Sequence, residues 1–182
     1  MAKFKYFKKG FVLWFTGLSG AGKTTIALLV LKKLQKMGYA IELLDGDEVR
    51  KVIARDLGYT REDRRTNLER TAYIAQLLSR NNIGVIASFV SPFRKDRDVV
   101  KNTVTNYIDV YVDTPLSVCE KRDVKGLYKK ARKGEIALFT GVSDPYEPPI
   151  KPDIVLRGDK RGREVDRLAM EVVKYLIKKK FI

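Results

Sequence analysis

The sequence predicts an α/β fold, a mostly parallel sheet of about five strands sandwiched between helices. Three observations predict it. Short apolar runs alternate with longer stretches of helical periodicity along the chain, the order that successive βα units produce. The first run, Phe11 to Thr16, has no polar alternation, as a central strand covered on both faces requires. Between it and the first helical pattern lies Gly17-Leu18-Ser19-Gly20-Ala21-Gly22-Lys23-Thr24, which fills every fixed position of the phosphate-binding loop G-x-x-x-x-G-K-[ST].

In order, residues 11–16 form the first strand, and a helix runs from about Lys23 to Met37, where Gly38 ends it. Ala40 to Leu44 is the second strand and runs straight into Asp45-Gly46-Asp47. A short helix is expected over Glu48 to Ala54, and Leu57 to Thr60 is a break. Thr60-Arg61-Glu62-Asp63 has the form of a capping box, with Asp63 in place of the usual Glu or Gln, and opens a long helix to about Arg80. Gly84 to Phe89 is the third strand, Lys95 to Thr105 a helix, and Tyr107 to Val112 the fourth strand. Thr114-Pro115 opens another helix with proline at an early position. From Arg122 to Tyr146 the periodicity dissolves into a basic, glycine-punctuated stretch. Such a segment suits a mobile lid over a phosphate site, or else a solvated helix and a surface loop. Asp153 to Leu156 is the last strand and Arg163 to Lys180 a final amphipathic helix. With the phosphate loop after the first strand, the expectation is a P-loop NTPase fold. It forms a single domain over residues 1–182, with an N-terminal arm at 1–10 and the lid and following loop at about 122–149.

Composition fits an ordinary globular protein, 45% hydrophobic and 32% charged, and no apolar run approaches the roughly 20 residues of a membrane span. No cleavage-like site follows the lysine-bearing start, so a signal peptide is not expected. The 26 residues after Leu156 are too few for a second domain. Cys119 is the only cysteine, consistent with a reducing cytoplasm. Thirty-seven Lys and Arg against 22 Asp and Glu give a net charge of +15, which favours anionic partners such as nucleotides. Many of those lysines fall on solvated helix faces, and the high charge with a single cysteine resembles proteins of hot environments.

The phosphate loop points to a nucleoside triphosphate. Gly17, Ser19, Gly20, Ala21 and Gly22 bring backbone N–H groups against phosphate oxygens, the helix that follows presents the positive end of its dipole, and Thr25 adjoins it. Lys23 reaches the β- and γ-phosphates, and Thr24 places a hydroxyl on Mg²⁺. Phosphoryl transfer needs charge neutralisation and a base for the acceptor proton. Asp45 can hold Mg²⁺ and Asp47 can take the proton, since both lie at the carboxyl end of a strand where open α/β sheets bind ligands. An Asp-Gly-Asp turn without function is the plain alternative. Arg50, Arg61, Arg64, Arg65 and Arg70 offer planar forks to an anionic acceptor. Two of the five are expected to be ligands, the rest pairing with Glu62, Asp63 and Glu69. Arg64 and Asn67, three apart, share a helix face.

The sequence resembles the adenylylsulfate kinase (APS kinase) family. The resemblance is carried by GLSGAGKTT (Gly17 to Thr25), LDGDEVR (Leu44 to Arg50), DLGYTREDRRTN (Asp56 to Asn67), ASFVSPFRKDRD (Ala87 to Asp98), VYVDT (Val110 to Thr114) and CEKRDVKGLYKKARKGEIALFTG (Cys119 to Gly141). It implies transfer of the γ-phosphoryl of ATP, with Mg²⁺, to the 3′-hydroxyl of adenosine 5′-phosphosulfate. It also implies that Asp47 is the base and that Arg50, Arg64 and Asn67 bind the acceptor. Tyr59 and Phe139, next to Leu138, would sandwich the acceptor adenine, with tyrosine here in place of the family's usual phenylalanine. Val90 and Ser91 would line the site, Lys125 would contact acceptor from the lid, and Arg122 would lie over the ATP adenine. Ser91 is expected only to line, because in-line transfer needs no covalent step and the chain has no histidine to activate it. A homodimer is common in the family; nucleic acid and membrane are not expected partners. Two rival readings are another small P-loop kinase acting on a nucleotide or a sugar-like hydroxyl, and a nucleotide-regulated RNA-binding protein suggested by the positive charge.

Overall fold

The computed structural model describes residues 4–159 and 162–182, so the first three residues of the expected N-terminal arm lie outside the described residues. Five strands, β1 (Phe11–Thr16), β2 (Ile41–Asp45), β3 (Gly84–Ser88), β4 (Tyr107–Asp113) and β5 (Ile154–Arg157), form one sheet in the order β2-β3-β1-β4-β5. Every pairing is parallel. All of β1 is buried at the centre, which is why it carries no polar alternation. Its side chains point alternately to the two faces. Phe11, Leu13 and Phe15 join a core with Ile26, Val30 and Leu34 of α1 (Lys23–Lys36) and Val172 and Leu176 of α7 (Arg163–Lys178). Val12 and Trp14 pack on the other side with Leu68, Ala72 and Ala75 of α3 (Arg61–Ser79) and Val100 of α4 (Arg94–Thr103).

The expected elements are all present, with ends within about two residues of those expected. The helix α2 (Gly46–Val52) starts two residues before the expected Glu48, because the Asp45 carboxylate accepts from the backbone N–H of Asp47 at 3.0 Å and caps it. At α3 the capping box forms as read, Thr60 and Asp63 each accepting from the other's backbone. After α5 (Leu116–Arg122) the stretch read as a lid, or else as a solvated helix and a surface loop, contains a short helix, α6 (Leu127–Arg132), whose Tyr128 and Ala131 are buried. Asp123 starts it by accepting from Tyr128 N and Lys129 N at 2.9 and 3.0 Å, a cap placed too far ahead of the helix for local pattern to reveal. Gly126 (φ 66°) and Gly134 (φ 76°) flank α6 in the left-handed region that glycine occupies without strain. Beyond α6 the chain crosses back over the carboxyl edge of the sheet.

The strand order reverses beside β1: the chain moves from β1 to β2, fills in β3 between them, then crosses to β4. The crevice at such a switch point, beyond the carboxyl ends of β1 and β3, is where open α/β sheets take ligands.

Candidate active site

A cavity of about 790 Å³ occupies that crevice. One wall is the phosphate loop and the start of α1. Gly20 and Gly22 have positive φ values of 73° and 102°, and the loop leads directly into α1 at Lys23. Ser19, Gly20, Gly22, Lys23, Thr24 and Thr25 line the cavity. Gly17 and Ala21 do not; they shape the loop from behind. The Gly17 carbonyl accepts from Lys23 Nζ at 2.9 Å, and the Ala21 carbonyl from Thr114 Oγ1 at 2.8 Å. Lys23 Nζ also donates to the Leu18 carbonyl at 2.9 Å, so its ammonium rests on the loop's own backbone. Burial there pushes its pKa down to about 8, because desolvation disfavours the charged form more than Asp45 and Asp47 support it. Arg122 also lines the cavity, with Nη1 donating to the Gly20 carbonyl at 3.1 Å.

Thr24 Oγ1 donates to Asp45 Oδ2 at 2.9 Å and lies 3.3 Å from the Ser88 hydroxyl. Two neutral hydroxyls and one carboxylate make a hard-oxygen donor set of the sparse kind Mg²⁺ takes when substrate phosphates and water complete its shell.

The facing wall comes from β2, α2, α3 and the β3–α4 loop. Asp47, Arg50, Tyr59, Arg64, Asn67, Val90, Ser91, Lys125, Leu138 and Phe139 all line the same cavity, so the structure brings together the residues that the sequence placed on the acceptor side. Asp47 is solvent-exposed and ion-paired with Lys125, so the candidate base and the lid lysine meet directly. Arg50 donates to the Gly58 carbonyl at 2.8 Å and stacks 4.3 Å from the Tyr59 ring centroid. Asn67 is buried, and its Oδ1 has no hydrogen-bond partner, leaving acceptor capacity for a ligand.

Arg64 is more committed than an isolated ligand. It donates to the Tyr59 carbonyl at 2.9 Å, to Thr140 Oγ1 and to the Leu138 carbonyl, and lies 3.4 Å from Asp144. It therefore joins α3 to the segment after α6. Of the pairings expected for the other arginines with Glu62, Asp63 and Glu69, only the last forms: the Asp63 carboxylate is taken up by the capping box with Thr60, and no ion pair to Glu62 occurs among the described residues. Arg65 pairs with Glu69 and Arg70 forks onto Asp56, while Arg61 lies over the Phe93 ring.

Several contacts that brace the walls of the cavity carried no readable signal. The Tyr128 hydroxyl donates to the Ser19 carbonyl at 2.9 Å and its ring packs edge-on against Phe139 with centroids 5.0 Å apart, tying α6 to the phosphate loop. Thr16, the last residue of β1, donates to the Val90 carbonyl at 2.8 Å and meets the Tyr146 hydroxyl at 3.0 Å. Trp14 Nε1 donates to Ser91 Oγ at 2.9 Å. These hydrogen bonds span 74 to 130 residues, so no local spacing encodes them.

The family model for adenylylsulphate kinase matches residues 9–157. The chain belongs to the adenylylsulphate kinase family. It is 53% identical over 175 residues to an adenylyl-sulfate kinase of Halothermothrix orenii, covering 96% of this chain and 94% of that one. It is 59% identical over 145 residues to a probable adenylyl-sulfate kinase of Pseudomonas aeruginosa, covering 80% of this chain and 68% of that one. Among solved structures, an APS kinase of Mycobacterium tuberculosis in complex with AMPPNP and APS superposes with a TM-score of 0.88 at 40% identity, over 93% of this chain and 98% of that one. A shikimate kinase of Aquifex aeolicus, at 18% identity and TM-score 0.53, shares the P-loop kinase fold. The kinase is thus a phosphotransferase acting on adenylyl sulfate. Among the described residues no helix is long and apolar enough to cross a membrane.

Proposed function

We propose that this single-domain enzyme binds ATP on the phosphate loop and adenylyl sulfate on the facing wall, and transfers the γ-phosphoryl group to the 3′-hydroxyl with Asp47 as general base. One observation carries the reading: Lys23, Thr24 and Asp45 on one side and Asp47, Arg50, Arg64 and Asn67 on the other open into a single cavity. The loop N–H groups and Lys23 bind the triphosphate, and Lys23 exchanges its two loop carbonyls for phosphate oxygens. Arg122 lies beside the ATP base. Thr24 and Asp45 would hold Mg²⁺, which supplies charge neutralisation across the phosphates.

On the acceptor side, the rings of Tyr59 and Phe139 take the adenine between them, next to Leu138. Arg50 backs the Tyr59 ring with a cation, and the added tyrosine hydroxyl stays in water because Tyr59 is exposed. Arg50, Arg64 and Asn67 hold the anionic and polar edges of the acceptor, and Val90 and Ser91 complete the wall. The entering hydroxyl displaces Lys125 from Asp47, which frees the carboxylate to take the proton and the ammonium to meet the acceptor's negative charge. Ser91 stays a lining residue: its hydroxyl oxygen accepts from the Trp14 indole, and no base touches it among the described residues. The left-handed glycines at 126 and 134 are the hinges on which α6 closes. The buried Cys119 and the positive charge suit a cytoplasmic enzyme of anionic substrates.

The test is a coupled assay of ADP release offering adenylyl sulfate beside AMP, shikimate and gluconate. Robust turnover with adenylyl sulfate alone is expected. Turnover with one of the others instead defeats the assignment.

A further inference from the structure

We propose that Arg97 is a positioning residue for the acceptor, acting through the backbone of Ser91. The inference rests on the acceptor-side reading above and adds a residue that does not itself line the cavity.

Arg97 sits in the first turns of α4 and is buried, with 4% of its surface exposed. Among the described residues no carboxylate comes within ion-pair distance of its guanidinium. Buried charges are costly unless paired or hydrogen-bonded, so a cation in this position depends on the acceptors that its donors reach. Its donors go instead to two carbonyls from separate parts of the chain. Nη1 donates to Ser91 O, and Nη2 donates to Glu147 O at 2.6 Å. The guanidinium also lies 5.9 Å from the Tyr146 ring centroid.

Ser91 is held in a conformation that serine rarely adopts, with φ at 44° in the left-handed region. Three groups hold it there from behind: Arg97 on its carbonyl, Trp14 on its hydroxyl, and Thr16 on the carbonyl of Val90 next to it. Val90, Ser91 and Pro92 are what the cavity sees of this arrangement. The fork of Arg97 therefore fixes the acceptor wall against the 144–148 segment and keeps Ser91 from relaxing to an ordinary backbone conformation. A lysine keeps the charge but has no planar fork to span both carbonyls.

The experiment measures KM for adenylyl sulfate, KM for ATP, kcat and thermal midpoint in the unsubstituted enzyme and in Arg97→Ala and Arg97→Lys. Removing the fork should raise the acceptor KM by about tenfold or more while the ATP KM stays within about twofold, since displacing a reacting group's wall by even 1 Å is costly. Arg97→Lys should show the same split at smaller size, and it decides the matter alone if Arg97→Ala does not fold. An unchanged acceptor KM in the folded variants, or equal increases in both KM values, overturns the proposal and leaves Arg97 a packing residue. Failure of the acceptor reading itself is separate, because the unsubstituted enzyme would then show no turnover with adenylyl sulfate.

Discussion

Asp47→Asn removes the candidate base while changing almost nothing else that the structure depends on. The backbone N–H of Asp47 is what Asp45 caps, and that bond is indifferent to the side chain at 47. Among the described residues the only ion pair lost is with Lys125, and both side chains are more than half exposed (62% and 54%), where such pairs are worth about 0–1 kcal/mol. For a chain of this size that is a shift of at most about 2–4 °C in thermal midpoint. The catalytic loss should be far larger. General-base assistance is worth about 10²–10⁴-fold, or roughly 3–5 kcal/mol of barrier at 1.36 kcal/mol per decade. ATP binding should be nearly unaltered, because the phosphate loop is intact. Steady-state ADP release at saturating adenylyl sulfate, a nucleotide titration and a melting curve measure the three quantities. A kcat within about threefold of the unsubstituted enzyme would remove Asp47 from the role, since base catalysis is not that small. A drop of tens of degrees would show that the side chain is structural instead.

Tyr59→Ala should weaken adenylyl sulfate binding by about 1–3 kcal/mol, the range for a base lost from an aromatic platform, and an unaltered acceptor KM rejects the stacking role. Because burial lowers the Lys23 pKa to about 8, the ligand-free ammonium loses its proton as pH rises through that value. Phosphate oxygens favour the charged form, so ATP binding at pH 8–9 should take up protons and weaken as pH rises. Calorimetry in buffers of different ionisation heat checks this, and Lys23→Met should abolish the uptake. Gly158→Ala would set a Cβ 2.1 Å from Thr114 Oγ1 and 2.4 Å from Ala21 O, the two atoms of the bond that braces the phosphate loop. It should cost about 1–3 kcal/mol of stability and raise the ATP KM, and an unchanged melting point with an unchanged KM contradicts the bracing.

The sequence by itself determined the sheet, the phosphate loop, the two carboxylates after β2 and the family, because each is encoded locally. Runs of apolar residues set strands, glycines set the loop, and Thr60 and Asp63 set the start of α3 within four positions of each other. It also narrowed five arginines to Arg50 and Arg64, though only through the likeness to relatives. Local pattern left open whether the stretch around α6 was a lid or a solvated helix and a surface loop, and gave no bounds for the helix, since its cap at Asp123 precedes it by several residues. Only the tertiary structure decided that Lys125 meets Asp47, that Arg64 reaches across to Thr140 and Asp144, and that Arg97 reaches the carbonyl of Glu147. The reason is physical: a hydrogen bond across 50 or more residues forms only after the sheet has brought its loops to one edge. An arginine's partners are therefore chosen by that geometry and not by its neighbours in sequence.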